Sequence, residues 1–163
     1  PLEHLQTFST YLRFSRLMAA YNPRIAVAKQ SWEADGHIDE LYLMPSGKVR
    51  PDFVQPEVFD GKTIFVQSEK TFSSAGILMT LARDNHIGLI VGTNSTFSPS
   101  HYGEVLPYRL PNTNVIGTIS CKYFARPDKE HLDDKNLMPD VSLDLTDKEK
   151  ALDTILKQLT INN

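Results

Sequence analysis

Apolar positions near the N-terminus recur at spacings of three and four, with Leu5, Phe8 and Leu12 in one set and Tyr11, Phe14 and Met18 in another. That period predicts a helix from Leu2 to about Ala20, ended by Tyr21-Asn22-Pro23. From Arg24 to Pro56 no period holds. Ile25-Ala26-Val27 reads as a short strand, and Pro45, Pro51 and Pro56 interrupt the residues after it, so this stretch is expected to be mostly loop. After the Asp60-Gly61 turn signal, Thr63-Ile64-Phe65-Val66 is a β-branched and aromatic run of the kind found in buried strands. A helix is expected from Ser73, with Ile77, Leu78, Leu81 and Ala82 as its inner stripe and Asn85-His86 as its end. A second apolar run, Ile87 to Val91, comes next. Strand, helix and strand in this order form a βαβ unit, which needs a sheet covered by helices and places the chain in the α/β class.

The polar stretch Thr93 to Tyr102 reads as a loop after a strand end. Val105 to Leu110 and Val115 to Phe124 are two further strands, and Pro111-Asn112-Thr113-Asn114 between them predicts a hairpin. Thr146 and Glu149 match a capping box for a last helix carrying Leu152, Ile155, Leu156 and Leu159. A length of 163 residues fits one domain, with the helix and irregular excursion in 1–60 and the βαβ unit, hairpin and final helix in 61–163.

Composition narrows the function classes. Seventeen basic against twenty acidic residues give a net charge of −3, with no general basic field to hold nucleic acid. The lone Cys121 allows no internal disulfide and no thiolate zinc cluster, and its place in a strand favours inert burial. No apolar run approaches the roughly 18 residues of a spanning helix, and mean hydropathy is −0.29, so a soluble chain is expected.

Candidate chemistry concentrates in Thr71-Phe72-Ser73-Ser74-Ala75-Gly76, a small, hydroxyl-rich turn between the buried strand and the amphipathic helix. Free N–H groups and the positive dipole end at a helix N-terminus can stabilise a tetrahedral oxyanion. The residues alone leave two readings of Ser73, a nucleophile or a plain N-cap, and capping serines are the commoner of the two. Among the histidines, only His101 follows a strand-end loop and stands as a local base candidate. His4, His37 and His131 read as solvated, and His86 as a helix-end charge. Asp39-Glu40 and Asp133-Asp134 read as solvated acidic pairs, and Trp32, Tyr42, Tyr102 and Tyr108 as packing residues.

From Lys62 onward the chain resembles the C-terminal processing (tail-specific) serine peptidases, in the branch of the tricorn core and the interphotoreceptor retinoid-binding modules. The resemblance is carried by Thr71, Ser73, Ala75, Gly76, Asp84, Asn85, Val91 and Gly92 in order. Downstream it continues through Pro99-Ser100-His101-Tyr102-Gly103-Glu104, Leu110-Pro111-Asn112, Tyr123-Phe124-Ala125-Arg126-Pro127-Asp128 and Met138-Pro139-Asp140-Val141. It implies a crotonase/Clp-protease-like core, Ser73 as nucleophile, Ser74 as donor of an oxyanion N–H, and Asp133 in the place of a glutamate that orients a histidine. A protein or peptide substrate is implied, with no cofactor or metal. The family is largely exported, which makes a periplasmic or envelope location the expectation, and oligomers are possible.

Two departures accompany the resemblance. The lysine that many members carry twenty-five residues after the serine is replaced by Ser98, and the family's Asp-x-Arg-x-Asn-Gly-Gly segment and base histidine have no counterpart in the chain. Because the family places both upstream, and the chain begins at Pro1, the expectation is a C-terminal part of a catalytic core that needs its upstream part as partner. Two other classes stay open: a non-catalytic peptide- or hydrophobic-ligand-binding homologue, and an assembly domain in which the serine only caps its helix.

Overall fold

The computed structural model describes residues 6–13, 23–37, 40–44 and 61–160. These form two compact units interleaved in sequence. One takes its described residues from 6–7, 61–100 and 126–160, the other from 8–46 and 101–125.

The first unit is built on a parallel sheet of β3 (Ile64–Gln67), β4 (Leu89–Gly92) and β7 (Val141–Ser142), in that spatial order. Helix α2 (Ser74–Asp84) connects β3 to β4, so the expected βαβ unit is present and the α/β class holds. Register pairs Phe65 with Ile90 and Gln67 with Gly92. Met79, Ile90 and Leu137 make a buried cluster with Phe65 against it, and each fully buried aliphatic side chain contributes about 1.5–3 kcal/mol. The buried residues of α2 are Gly76, Met79, Thr80 and Ala82, whereas Leu78 is half exposed, so the inner stripe is rotated from the expected one. The Phe97 ring covers this face, lying 2.3 Å from where a Cβ on Gly76 would stand.

Helix α3 (Lys148–Thr160) closes this unit's sequence. Its cap is Asp147, whose Oδ1 accepts from the Lys150 N–H at 3.1 Å and whose carbonyl accepts from Ala151. Thr146, the expected cap, instead donates its hydroxyl to Asp144 at 2.7 Å, which corrects the capping box by one residue. The helix begins at Lys148, so Asp147 holds the capping position and Thr146 belongs to the preceding turn on Asp144.

The second unit is an antiparallel sheet ordered β2 (Leu41–Leu43), β1 (Ser9–Arg13), β6 (Ile116–Ala125), β5 (His101–Arg109). The hairpin of β5 and β6 is as expected, but β5 starts at His101, inside the stretch expected to be loop. Two local expectations are overturned. Residues 9–13 are a strand and not a helix, because β1 finds ladder partners on both sides, Tyr11 facing Leu43 and Tyr123, and tertiary pairing overrides an apolar spacing that also fits a helix. Residues 6–8 are irregular, and 2–5 and 14–20 of the expected first helix lie outside the described residues. Ile25-Ala26-Val27 is not a strand but part of helix α1 (Pro23–Ala34), which starts on a proline suited to the first helical position. Beyond its end, Gly36 takes φ +90, a conformation glycine adopts without a Cβ clash. Trp32 of α1 packs edge-on against Tyr42 of β2 and stacks on His37, while His37 Nδ1 meets the Glu40 carboxylate at 2.8 Å.

Candidate active site

The parallel sheet directs three loops to the carboxyl ends of its strands, the end at which open α/β sheets bind ligands. The loop after β3 carries Ser73. Its turn is closed by Thr71 N–H to the Ser68 carbonyl at 3.0 Å and by the Ser68 N–H to Thr71 Oγ1 at 3.0 Å. The chain then enters α2 through Ser73 at φ 55, ψ −127, and the Ser73 side chain makes no capping hydrogen bond. The plain N-cap reading therefore fails, since a capping serine takes an extended backbone and bonds the first turn. A non-glycine residue in this region stores about 1–3 kcal/mol of strain, and a sharp strand-to-helix corner of this kind exposes a serine hydroxyl. Ser73 and Ser74 are both exposed. Ser74 is the first residue of α2, so its N–H has no acceptor within the helix.

The loop after β4 braces this corner. Ser95 Oγ donates to the Thr71 carbonyl at 3.0 Å and receives the Phe97 N–H at 3.0 Å, while Thr96 Oγ1 donates to the Glu69 carbonyl at 3.0 Å. Thr93 Oγ1 donates to Glu69 Oε2 at 3.1 Å, and Glu69's own N–H followed by this hydroxyl hold its carboxyl below the usual range. The serine- and threonine-rich segment is thus a scaffold for the Ser73 turn. Gly92 takes φ +125, and a Cβ there would stand 2.0 Å from the Gln67 carbonyl oxygen, so only glycine lets β4 leave the sheet this close to β3. Gln67 itself is buried and donates from Nε2 to the carbonyls of Leu137 at 2.8 Å and Thr93 at 3.0 Å. Beside these strand ends an open depression of about 450 Å³ is lined by Gly92, Thr93, Asn94, Ser142, Leu143 and Asp144.

Ser98, in the lysine's place, donates its hydroxyl to the Ser100 carbonyl at 2.7 Å, with the Asp134 carbonyl at 3.2 Å. Its chemistry is that of a loop tie, with no amine to act as base. Asp133 is exposed in the loop that follows a short 3-10 turn at Lys129–His131. Its neighbour Asp134 is not a free solvated acid as expected, because it pairs with Arg126 at 2.9 Å. His131 is exposed and bonds Asp128 at 2.7 Å. His101 belongs to the other compact unit, where its ring stacks on Phe124 at 5.2 Å and meets Phe8 edge-on at 6.0 Å. Among the described residues, no three His, Cys, Asp or Glu side chains converge as metal ligands, and no helix is long and apolar enough to cross a membrane.

Sequence reasoning missed the buried polar centre of this unit. Asp84 ends α2 with its side chain fully buried, and Arg126 grips it through Nη2 at 2.5 Å and Nε at 3.1 Å. Burial works against the Arg126 charge, but Asp84, Asp134 and Asp128 together raise its pKa above the ordinary value. Asp140 serves a parallel role at β4: its Oδ2 accepts the Ile90 N–H at 2.7 Å, and its Oδ1 accepts from Arg83 at 2.9 Å. Asp84, Arg126, Asp128 and Asp140 all lie in motifs that carry the family resemblance, so much of that pattern encodes the frame around Ser73.

A family model for peptidase family S41 matches residues 18–143. Two solved structures are similar in fold. One is a crystal structure of mature CPAF, with TM-score 0.58 and 17% identity over 96% of this chain and 37% of that chain. The other is mature CPAF complexed with lactacystin, with TM-score 0.66 and 18% identity over 98% of this chain and 40% of that chain. The chain thus spans about two fifths of the length of these structural relatives. No curated protein gave a match. With the family model covering most of the sequence, the chain belongs to peptidase family S41, the C-terminal processing serine peptidases.

Proposed function

We propose that this chain supplies the nucleophile-bearing part of a tail-specific serine peptidase that cleaves unfolded proteins or peptides through an acyl-enzyme on Ser73. The observation that carries the proposal is the Ser73 corner: a strained backbone, an exposed side chain without a capping bond, and a helix N-terminus immediately behind it. In the proposed reaction Ser73 Oγ attacks the substrate carbonyl as a histidine base takes its proton, and the tetrahedral oxyanion is met by the Ser74 N–H. Asp133 orients that histidine. The base and the second oxyanion donor come from the upstream part of the core. His101 is the alternative base, and its engagement by Phe124 and Phe8 supports the upstream choice.

Hydrolysis of an unfolded protein by the full-length peptidase tests the assignment. Ser73→Ala is expected to lower kcat by roughly four orders of magnitude or more, the scale at which loss of a nucleophile acts. Ser74→Ala keeps its backbone N–H and retains most of the activity. Equal loss in both variants, with folding intact, would overturn the choice of Ser73. The replacement of the family lysine by Ser98 favours a second reading, a binding homologue without hydrolysis, for which neither variant changes turnover because there is none.

A further inference from the structure

Asp84 is a puzzle if only helix stability is considered. It stands at the C-terminal end of α2, where the dipole disfavours a negative charge, and its side chain is fully buried, which costs more. What compensates it is a set of directed donors: two from Arg126 and the Asp128 N–H, at 3.0 Å to Oδ2. The same guanidinium then reaches forward along the chain. Its Nη1 donates to Asp134 Oδ2 at 2.9 Å and to the His131 carbonyl at 3.4 Å, while its side chain is only 3% exposed. The loop 127–134 therefore leaves Arg126 and returns to it, and Asp133 is the residue next to the point of return.

We infer that Arg126 is a positioning residue for the peptidase reaction: its guanidinium fastens the loop bearing Asp133 to the end of the helix whose other end carries Ser73. The role rests on Asp133 orienting the base, as proposed above. A guanidinium suits it because its fork serves two carboxylates and a carbonyl in fixed directions, which an ammonium point charge cannot do. The loop keeps ties that do not use the guanidinium, among them the Asp128 N–H to Asp84 Oδ2 at 3.0 Å and Ser98 Oγ to the Asp134 carbonyl at 3.2 Å, so losing the guanidinium loosens Asp133 without releasing the whole segment.

The test is a mutant cycle in the full-length peptidase, reading kcat, KM, the pH profile and thermal stability for Arg126→Lys, Asp134→Asn, Asp133→Asn and the doubles. Asp134→Asn is included because its partly exposed side chain can be neutralised with the Asp84–Arg126 pair intact, should Arg126→Lys fail to fold. Arg126→Lys and Asp134→Asn are each expected to lower kcat about 10- to 100-fold with KM unchanged, as a misplaced group does. Both should move the acid limb of the pH profile to lower pH, since a displaced carboxylate stabilises the imidazolium less. Combined with Asp133→Asn, neither should lower kcat further. Multiplying effects, or an unmoved acid limb, would overturn the positioning role while leaving Asp133 in place. Full activity of Asp133→Asn would remove the orienting carboxylate, and the role of Arg126 with it.

Discussion

Gly76 and Gly92 show how single backbone positions hold the Ser73 corner open. A Cβ on Gly76 would stand 2.3 Å from the Phe97 ring, which is a side chain and can yield. Gly76→Ala should cost about 1–3 kcal/mol in urea denaturation, and Phe97→Leu in the same chain should restore part of it. On Gly92 the obstacle is the Gln67 carbonyl oxygen, so Gly92→Ala should cost more than Gly76→Ala. Titration at the same scale is readable at Asp144. Its pKa is lowered first by the Thr146 hydroxyl and then by the Thr146 N–H, at 2.7 and 2.9 Å. A carboxyl lowered in the folded state stabilises fully above its ordinary pKa of about 3.9, and that contribution is lost as pH falls through the folded value. Thermal unfolding from pH 5 to pH 2 should accordingly show a shallower loss of stability in Asp144→Asn than in the parent chain.

Among the elements, those legible in the sequence were the ones whose local signals agreed. Thr63–Val66 and Ile87–Val91 are short apolar runs flanking an amphipathic segment, and Pro111–Asn114 is a turn signal, so the βαβ unit and the hairpin were both readable. Where two periods fit one segment the outcome was tertiary. Ser9–Arg13 became a strand because β2 and β6 flank it, and Ile25–Val27 became helical within boundaries set by Pro23 and Gly36. The strand-to-helix turn at Ser73 was legible from its small, hydroxylated residues, but the Asp84–Arg126 pair was not, since 42 residues separate partners that no local period connects. Thr146 and Asp147 were a near miss, because both residue types cap helices and the start of α3 at Lys148 decides between them. Asp147→Ala should therefore destabilise α3 by about 1 kcal/mol, read by chemical denaturation.

On the scale of the whole molecule, one compact unit holds the Ser73 corner, the loop that braces it, Arg126 and Asp133, and the other holds His101. The chain spans about two fifths of the length of its structural relatives. The proposed reaction takes the base and one oxyanion donor from the upstream part of the core because the family's Asp-x-Arg-x-Asn-Gly-Gly segment has no counterpart in these 163 residues. In the proposed reaction the contribution of this chain is the nucleophile. Covalent labelling of the full-length peptidase with a fluorophosphonate, followed by mass mapping of the modified peptide, tests that contribution directly. The expected result is one adduct on Ser73, lost in Ser73→Ala and kept in Ser74→Ala. An adduct on another residue, or none on a folded protein that hydrolyses peptides, would contradict the assignment.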